Sequence, residues 1–132
     1  MRRAVKPPPF GRLAMKKILL VEDDATMISL LRTLLEIEGF AVVQFDPAQD
    51  VLEQIRREHP DAVLLDVNIH GMDASGFDVV RALRADPELQ DTRVLMASGM
   101  NYKREASEAG ADAFLLKPFM PDDLIKQIRA LL

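Results

Sequence analysis

The chain has 132 residues, no cysteine and a formal net charge of −4 at pH 7. This bounds it to one domain with a single core and excludes disulfides, thiolate metal sites and a cysteine nucleophile. Hydrophobic residues at 48% and charged residues at 29% read as an ordinary soluble globular protein, with no run long enough to span a bilayer, and the lack of cysteine fits the reducing cytoplasm.

The charge is unevenly spread. Residues 1–15 carry Arg2, Arg3, Lys6 and Arg12 and no acid, leaving a net −8 on residues 16–132. An acidic body of that size is not a nucleic-acid surface. The basic segment lacks the apolar stretch and small-residue cleavage site of a signal peptide. Pro7-Pro8-Pro9 makes it read as an extended, disordered tail over 1–15. Met15 is an alternative start. Residues 16–132 read as the folded domain.

In chain order, apolar runs rich in Val, Ile and Leu fall at about 17–21, 40–45, 62–66, 92–97 and 112–116. Continuous runs, rather than alternation, suit strands buried on both faces. The first helix places Met27, Leu30, Leu31, Leu34 and Leu35 at i, i+3, i+4 spacing, with Asp24 as its N-cap and Gly39 as its terminator. Asp46-Pro47 reads as cap and first residue of the second helix, which buries Val51, Leu52 and Ile55 and stops before Pro60. A third helix spans about 75–85, using Phe77, Val80 and Leu83. The fourth, about 102–109, is short and weakly amphipathic. The fifth starts at Pro121 and buries Leu124, Ile125, Ile128 and Leu131. Alternation of this kind predicts a doubly wound (βα)5 domain, a parallel sheet between two helical layers. The fifth helix closes the pattern, and no output module is expected within these residues.

In such a sheet the carboxyl ends of the strands converge on one crevice. Glu22-Asp23-Asp24 follows the first strand, Asp66 ends the third, and Lys117-Pro118 follows the fifth. Carboxylates brought that close repel unless a cation joins them, and hard oxygen ligands suit Mg²⁺. Asp23 reads as a ligand with Glu22 in support, and Asp24 as the helix cap. Lys117 offers a point charge for a phosphoryl oxygen, against the plainer reading of a Lys-Pro turn. Ser98, ending the fourth strand, offers a hydroxyl at the same mouth, against that of a turn former. His59 reads as a solvated helix cap and His70 as a surface-loop residue. No Gly-rich phosphate loop or Ser-His-Asp order is present.

Four segments, 16–24, 63–84, 94–100 and 110–119 (KKILLVEDD, VLLDVNIHGMDASGFDVVRALR, VLMASGM and GADAFLLKPF), together resemble the receiver domain of two-component response regulators, of the single-domain, chemotaxis-regulator-like type. The resemblance covers residues 16–132 and implies the flavodoxin-like strand order 2-1-3-4-5, an order the general rule for doubly wound folds illustrates with this same family. It implies that Asp66 is a phosphoacceptor taking a phosphoryl group from the phosphohistidine of a sensor histidine kinase or phosphotransfer protein, giving an acyl phosphate. Glu22, Asp23, Asp66 and the backbone carbonyl of Asn68 match the positions that hold Mg²⁺, or Mn²⁺ in its place. Lys117 and Ser98 match the groups that bind phosphoryl oxygens, and Ser98 and Phe114 the switch pair. The switch would reshape the fourth helix, fifth strand and fifth helix, with Tyr102, Lys103, Arg104 and Lys126 as partner surface. The implied role is signalling rather than enzymatic turnover, through a downstream protein target and not nucleic acid or membrane, with a homodimer on phosphorylation as a further possibility.

The sequence departs from the family pattern after the phosphoacceptor, where a proline is missing and Ala74-Ser75 are extra, which predicts a looser loop. Ser98 stands for the commoner Thr and Gly99 for the commoner Ala. Met100, two residues beyond Ser98, occupies a position that varies the lifetime of the phosphoryl group, and its apolar chain is expected to hinder the attacking water. Three other readings compete. One is a Mg²⁺-dependent aspartyl-phosphate phosphatase or phosphotransferase, which would carry a second acid where Asn68 stands. Another is a receiver excised from a longer regulator or hybrid kinase. The last is a flavodoxin-like FMN binder, which lacks its phosphate loop here.

Overall fold

The structure, a computed structural model, describes residues 15–69 and 75–132. Residues 1–14 and 70–74 lie outside the described residues, and with them the expectations for the tail, for His70 and for the loop insertion. Ten elements alternate: β1 (Lys17–Val21), α1 (Ala25–Ile37), β2 (Ala41–Gln44), α2 (Val51–Glu58), β3 (Ala62–Asp66), α3 (Gly76–Ala85), β4 (Arg93–Ser98), α4 (Lys103–Ala109), β5 (Ala113–Leu116) and α5 (Pro121–Leu131). The five strands pair in parallel in the order β2-β1-β3-β4-β5, as the resemblance implies. Among the described residues no helix is long and apolar enough to cross a membrane.

The unbroken apolar runs have the physical cause anticipated for them. Successive strand residues point to opposite faces, and here both faces are covered. Leu19, Val21, Val63, Leu65, Val94 and Met96 face one layer, packed with Val51 and Ile55 of α2, Val79, Val80 and Leu83 of α3, and Ala106 and Ala109 of α4. Ile18, Leu20, Leu64, Leu95 and Leu115 face the other, against Leu31 and Leu35 of α1 and Leu124 and Ile128 of α5. Leu52, Ile125 and Leu131, expected in the core, are only half-buried at its margin.

The helix ends are set by local chemistry. Asp24 caps α1, accepting from the Met27 amide at 2.9 Å, and Gly39 follows the helix at φ +95°. Ser75 and Asp78 form a reciprocal capping box at the start of α3. His59 ends α2 in the left-handed region at φ 48°, exposed and directly before Pro60. The start of α2 is a correction. The helix opens at Val51 with Asp50 as N-cap, not at Asp46-Pro47. Asp46 is held in a turn instead. Its carboxylate accepts from the Ala48 amide at 2.9 Å, and the buried amide of Gln54 brackets its main chain, donating to the carbonyl at 2.8 Å and accepting from the N–H at 3.2 Å. With both main-chain groups of Asp46 bound by one side chain, the helix starts only beyond the turn.

Strand register aligns the sheet's carboxyl edge. Val21 stands opposite Leu65, Asp66 opposite Ala97, and Ser98 opposite Leu116. Glu22, Asp66, Ser98 and Lys117 therefore leave four adjacent strands at one level.

Candidate functional site: an acidic crevice closed by a lysine

Four strand ends supply the site. Lys117 Nζ donates to Glu22 Oε1 at 2.9 Å and to Asp66 Oδ2 at 3.1 Å. The three groups come from β5, β1 and β3, whose residues are 95 and 51 positions apart in sequence. Glu22 is buried, 7% exposed. Its second oxygen, Oε2, accepts from the Asp24 main-chain amide at 3.2 Å. Both Glu22 oxygens are thus engaged, one on the lysine and one on the backbone that opens α1. Burial alone would lower the Lys117 pKa, but hydrogen bonds and charges from Glu22 and Asp66 outweigh it and hold the ammonium above its ordinary value of 10.5. The Lys117–Pro118 peptide is cis.

Asp23 is exposed and lies in the same crevice. Glu22, Asp23 and Asp66 each present a carboxylate oxygen within 4.8 Å of the others. Three carboxylates and one ammonium leave a net charge of −2, which a divalent cation matches. All-oxygen donors of this kind suit Mg²⁺ or Mn²⁺. Asn68 is exposed and its main-chain N–H donates to Asp66 Oδ1 at 3.4 Å, so the chain turns back over the carboxylate.

Ser98 is buried, and its hydroxyl accepts from the Met100 amide at 3.1 Å. Its carbonyl accepts from the Lys117 amide at 2.8 Å, which extends the β4–β5 ladder to the site. Phe114 is half-buried on the α2–α3–α4 side of the sheet, opposite Met96 in register. Tyr102 departs from the expected exposed surface. It is half-buried, its ring standing edge-on to Phe77 at 5.5 Å between centroids and 89° between planes. Lys103, Arg104 and Lys126 are exposed. So are three large apolar chains that sequence reasoning passed over as surface, Met100 (62%), Leu116 (46%) and Met120 (67%).

Gly76 was also passed over. A Cβ placed there would stand 2.7 Å from the Asp66 carbonyl oxygen and 3.0 Å from Val67 Cα. Its amide donates to the Val67 carbonyl at 2.7 Å. The start of α3 is therefore seated on the backbone that carries Asp66, and only glycine permits that approach. The sequence held a signal for this, since a glycine opening a helix is a poor helix former.

Comparison with known proteins agrees with this geometry. The profile of the response regulator receiver domain matches residues 18–129. The DNA-binding response regulator MtrA of Mycolicibacterium paratuberculosis is 35% identical over 115 residues, covering 87% of this chain and 50% of MtrA. The response regulator MprA of Mycobacterium leprae is 38% identical over 117 residues, covering 88% of this chain and 50% of MprA. The chain spans about half the length of these curated relatives. Among solved structures, the chemotaxis response regulator CheY4 of Vibrio cholerae superposes with a TM-score of 0.79 at 28% identity, covering 89% of this chain and 99% of that one. By its sequence, its strand order and the acidic crevice at the carboxyl edge of its sheet, this chain belongs to the family of response regulator receiver domains.

Proposed function

We propose that Asp66 accepts a phosphoryl group from the phosphohistidine of a sensor histidine kinase or phosphotransfer protein. The observation that carries this is the single lysine shared by Glu22 and Asp66 beside a third carboxylate, all at one strand edge. A carboxylate oxygen of Asp66 attacks phosphorus, the P–N bond to the donor imidazole breaks, and an acyl phosphate forms with the imidazole as leaving group. Phosphoryl transfer asks chiefly for positioning and charge neutralisation. Lys117 supplies a cation already hydrogen-bonded to the attacking group. Ser98 carries a hydroxyl able to donate to a phosphoryl oxygen. Glu22, Asp23, Asp66 and the Asn68 carbonyl would hold Mg²⁺, which when bound cancels charge on the phosphoryl oxygens.

The chain's role in this reading is that of a signalling phosphoacceptor in the cytoplasm, not of an enzyme turning over small molecules. Asn68 supports it, since a phosphatase of the aspartyl-phosphate class needs an acid there. The downstream partner is a protein. The net −8 on residues 16–132 opposes nucleic acid, and Lys103, Arg104, Lys126, Leu116 and Met120 offer a mixed apolar and basic set of exposed residues on α4, β5, the N-cap of α5 and α5 itself. Residues 1–15 are a tail outside the 16–132 domain in this proposal.

Intact mass after incubation with acetyl phosphate and Mg²⁺ tests the reading. One phosphoryl group is expected, absent in Asp66→Ala and absent without Mg²⁺. A folded wild-type protein that gains nothing from acetyl phosphate or from a panel of phosphorylated kinases would overturn it.

A further inference from the structure

One side chain joins three segments at the end of the sheet opposite the acidic crevice. Arg84, in the last turn of α3, uses four of its five N–H donors. Nε donates to the Gly110 carbonyl at 2.8 Å. Nη1 donates to the carbonyls of Gln90 at 2.8 Å and Thr92 at 2.7 Å. Nη2 donates to Asp112 Oδ2 at 3.0 Å. The same Asp112 oxygen accepts from the Val94 amide at 2.8 Å, while the Asp112 amide donates to the Val94 carbonyl at 2.9 Å. Gly110, which ends α4 at φ +110°, lies so close that a Cβ there would stand 2.8 Å from Arg84 Cγ. The planar, rigid guanidinium fork therefore locks the end of α4 to the starts of β4 and β5 and to the α3–β4 turn.

The other end of α4 is held differently. Tyr102 caps the helix without a side-chain hydrogen bond. Gly99 and Met100 before it are exposed, with nothing within 4 Å of a Cβ placed on Gly99. The contacts there are the Tyr102–Phe77 edge within the margin of the core, the Lys103 amide on Asn101 Oδ1 at 3.2 Å, the Tyr102 amide on the Met100 carbonyl at 2.9 Å, and the Met100 amide on the Ser98 hydroxyl. Ser98 is the group nearest the crevice in this series, and its hydroxyl sits at the head of the turn leading into α4. One end of a seven-residue helix is thus clamped to three remote segments by a charged fork, whereas the hydrogen bonds at the other end join only residues 98–103 to one another and its ring contact is with Phe77.

We propose that Arg84 is the fixed pivot of α4, about which the Tyr102 end of the helix swings when Asp66 is phosphorylated. This rests on the phosphoacceptor reading above. As Ser98 turns toward a phosphoryl oxygen, its acceptor bond to Met100 is released and the turn at 99–101 reorganises. The Phe77–Tyr102 contact breaks, while Gly110, Ala111 and Asp112 stay in place. A helix pinned at one end converts a small movement at its head into a tilt rather than a translation, so the surface around Lys103 and Arg104 changes most.

The chain has one tyrosine and no tryptophan, so its intrinsic fluorescence reports Tyr102 alone. The experiment uses the full chain with Mg²⁺ and excess acetyl phosphate. It follows phosphoryl gain by intact mass, tyrosine emission, and amide hydrogen exchange by residue. On phosphorylation, exchange at Met100, Tyr102, Lys103 and Ala106 is expected to change by about tenfold or more, and at Gly110, Ala111 and Asp112 by less than about twofold. Tyrosine emission is expected to shift in step. In Arg84→Lys, which keeps the charge but not the fork, phosphoryl gain persists and the Gly110–Asp112 amides respond as strongly as Tyr102 does. Phosphorylation with a uniform or reversed response along α4 overturns the pivot and leaves the phosphoacceptor reading standing, as does an Arg84→Lys protein that keeps the gradient. A folded wild-type chain that gains no phosphoryl group overturns both.

Discussion

The α-carbon of Gly76 is seated against the carbonyl oxygen of Asp66, so that any side chain at residue 76 would press on the main chain of the proposed phosphoacceptor. The contact couples the start of α3 to the end of β3, although the two residues lie ten positions apart in sequence. In Gly76→Ala the methyl group must displace the Asp66 backbone or the helix start, at a cost of about 1–3 kcal/mol. Urea denaturation is expected to report that loss. Phosphoryl gain from acetyl phosphate should fall with it, because Asp66 Oδ2 moves relative to Lys117. Unchanged stability and unchanged phosphorylation would show that the helix start yields without disturbing Asp66.

Lys117 has a defined pH signature. Its folded pKa is raised above 10.5 by Glu22 and Asp66 against the opposing effect of burial. The unfolded chain therefore loses this proton before the folded one does, and the ion pairs contribute their full stability below pH 10.5. That contribution disappears as pH rises above 10.5 and through the raised pKa. Denaturation midpoints measured from pH 9 upward should fall more steeply for the wild type than for Lys117→Met. At neutral pH the same substitution leaves buried Glu22 without its cation and is expected to cost about 2 kcal/mol.

Mg²⁺ is expected to stabilise the folded chain by mass action, by about 2.7 kcal/mol at a hundredfold excess over its dissociation constant. Thermal unfolding in Mg²⁺ and in EDTA measures this directly. Asp23→Asn removes one carboxylate from the three that converge and should abolish the Mg²⁺-dependent rise. A full rise in Asp23→Asn would assign the ion to other residues.

Met100 is 62% exposed and follows Ser98 by two residues. Its amide is bound to the Ser98 hydroxyl, so the side chain starts beside the crevice. An apolar chain there is expected to hinder the water that would attack the proposed acyl phosphate. Met100→Ala is expected to lose its phosphoryl group several-fold faster after removal of the donor, followed by intact mass over time. An unchanged rate removes Met100 from the control of lifetime.

Gln54 supports the second crossover. Its buried amide satisfies both main-chain groups of Asp46. Gln54→Met keeps the volume but leaves those groups unpaired, at a cost of about 1–3 kcal/mol. Calorimetric unfolding tests this, and a neutral outcome would mean that water replaces the amide.

Much of this protein was legible in its sequence because the signals are local or periodic. Five unbroken apolar runs declare strands covered on both faces, since any strand with a wet face would alternate. The cap at Asp24 and the terminators at Gly39 and Pro60 act within a few residues, so their effect can be read in place. The charged residues at the strand ends were legible for the same reason. A parallel sheet brings its carboxyl ends to one edge, and the residue types there already imply cation and phosphate chemistry. Asp46 shows where local reading fails. Its cap signal was real, but Gln54, eight residues on, bound its main chain and moved the helix start to Val51.

Only the tertiary structure decided what depends on distance between remote segments. Strand register, not strand identity, brings Lys117 to 2.9 Å from Glu22 and 3.1 Å from Asp66. The engagement of both Glu22 oxygens, the seat of Gly76 on Asp66, the edge contact of Tyr102 with Phe77 and the four-donor fork of Arg84 follow from packing that no spacing rule encodes. The physical reason is that backbone propensity and hydrophobic period act over one or two turns of chain, whereas a hydrogen bond between residues 26 to 95 positions apart exists only after the sheet and its two helical layers have closed around the core.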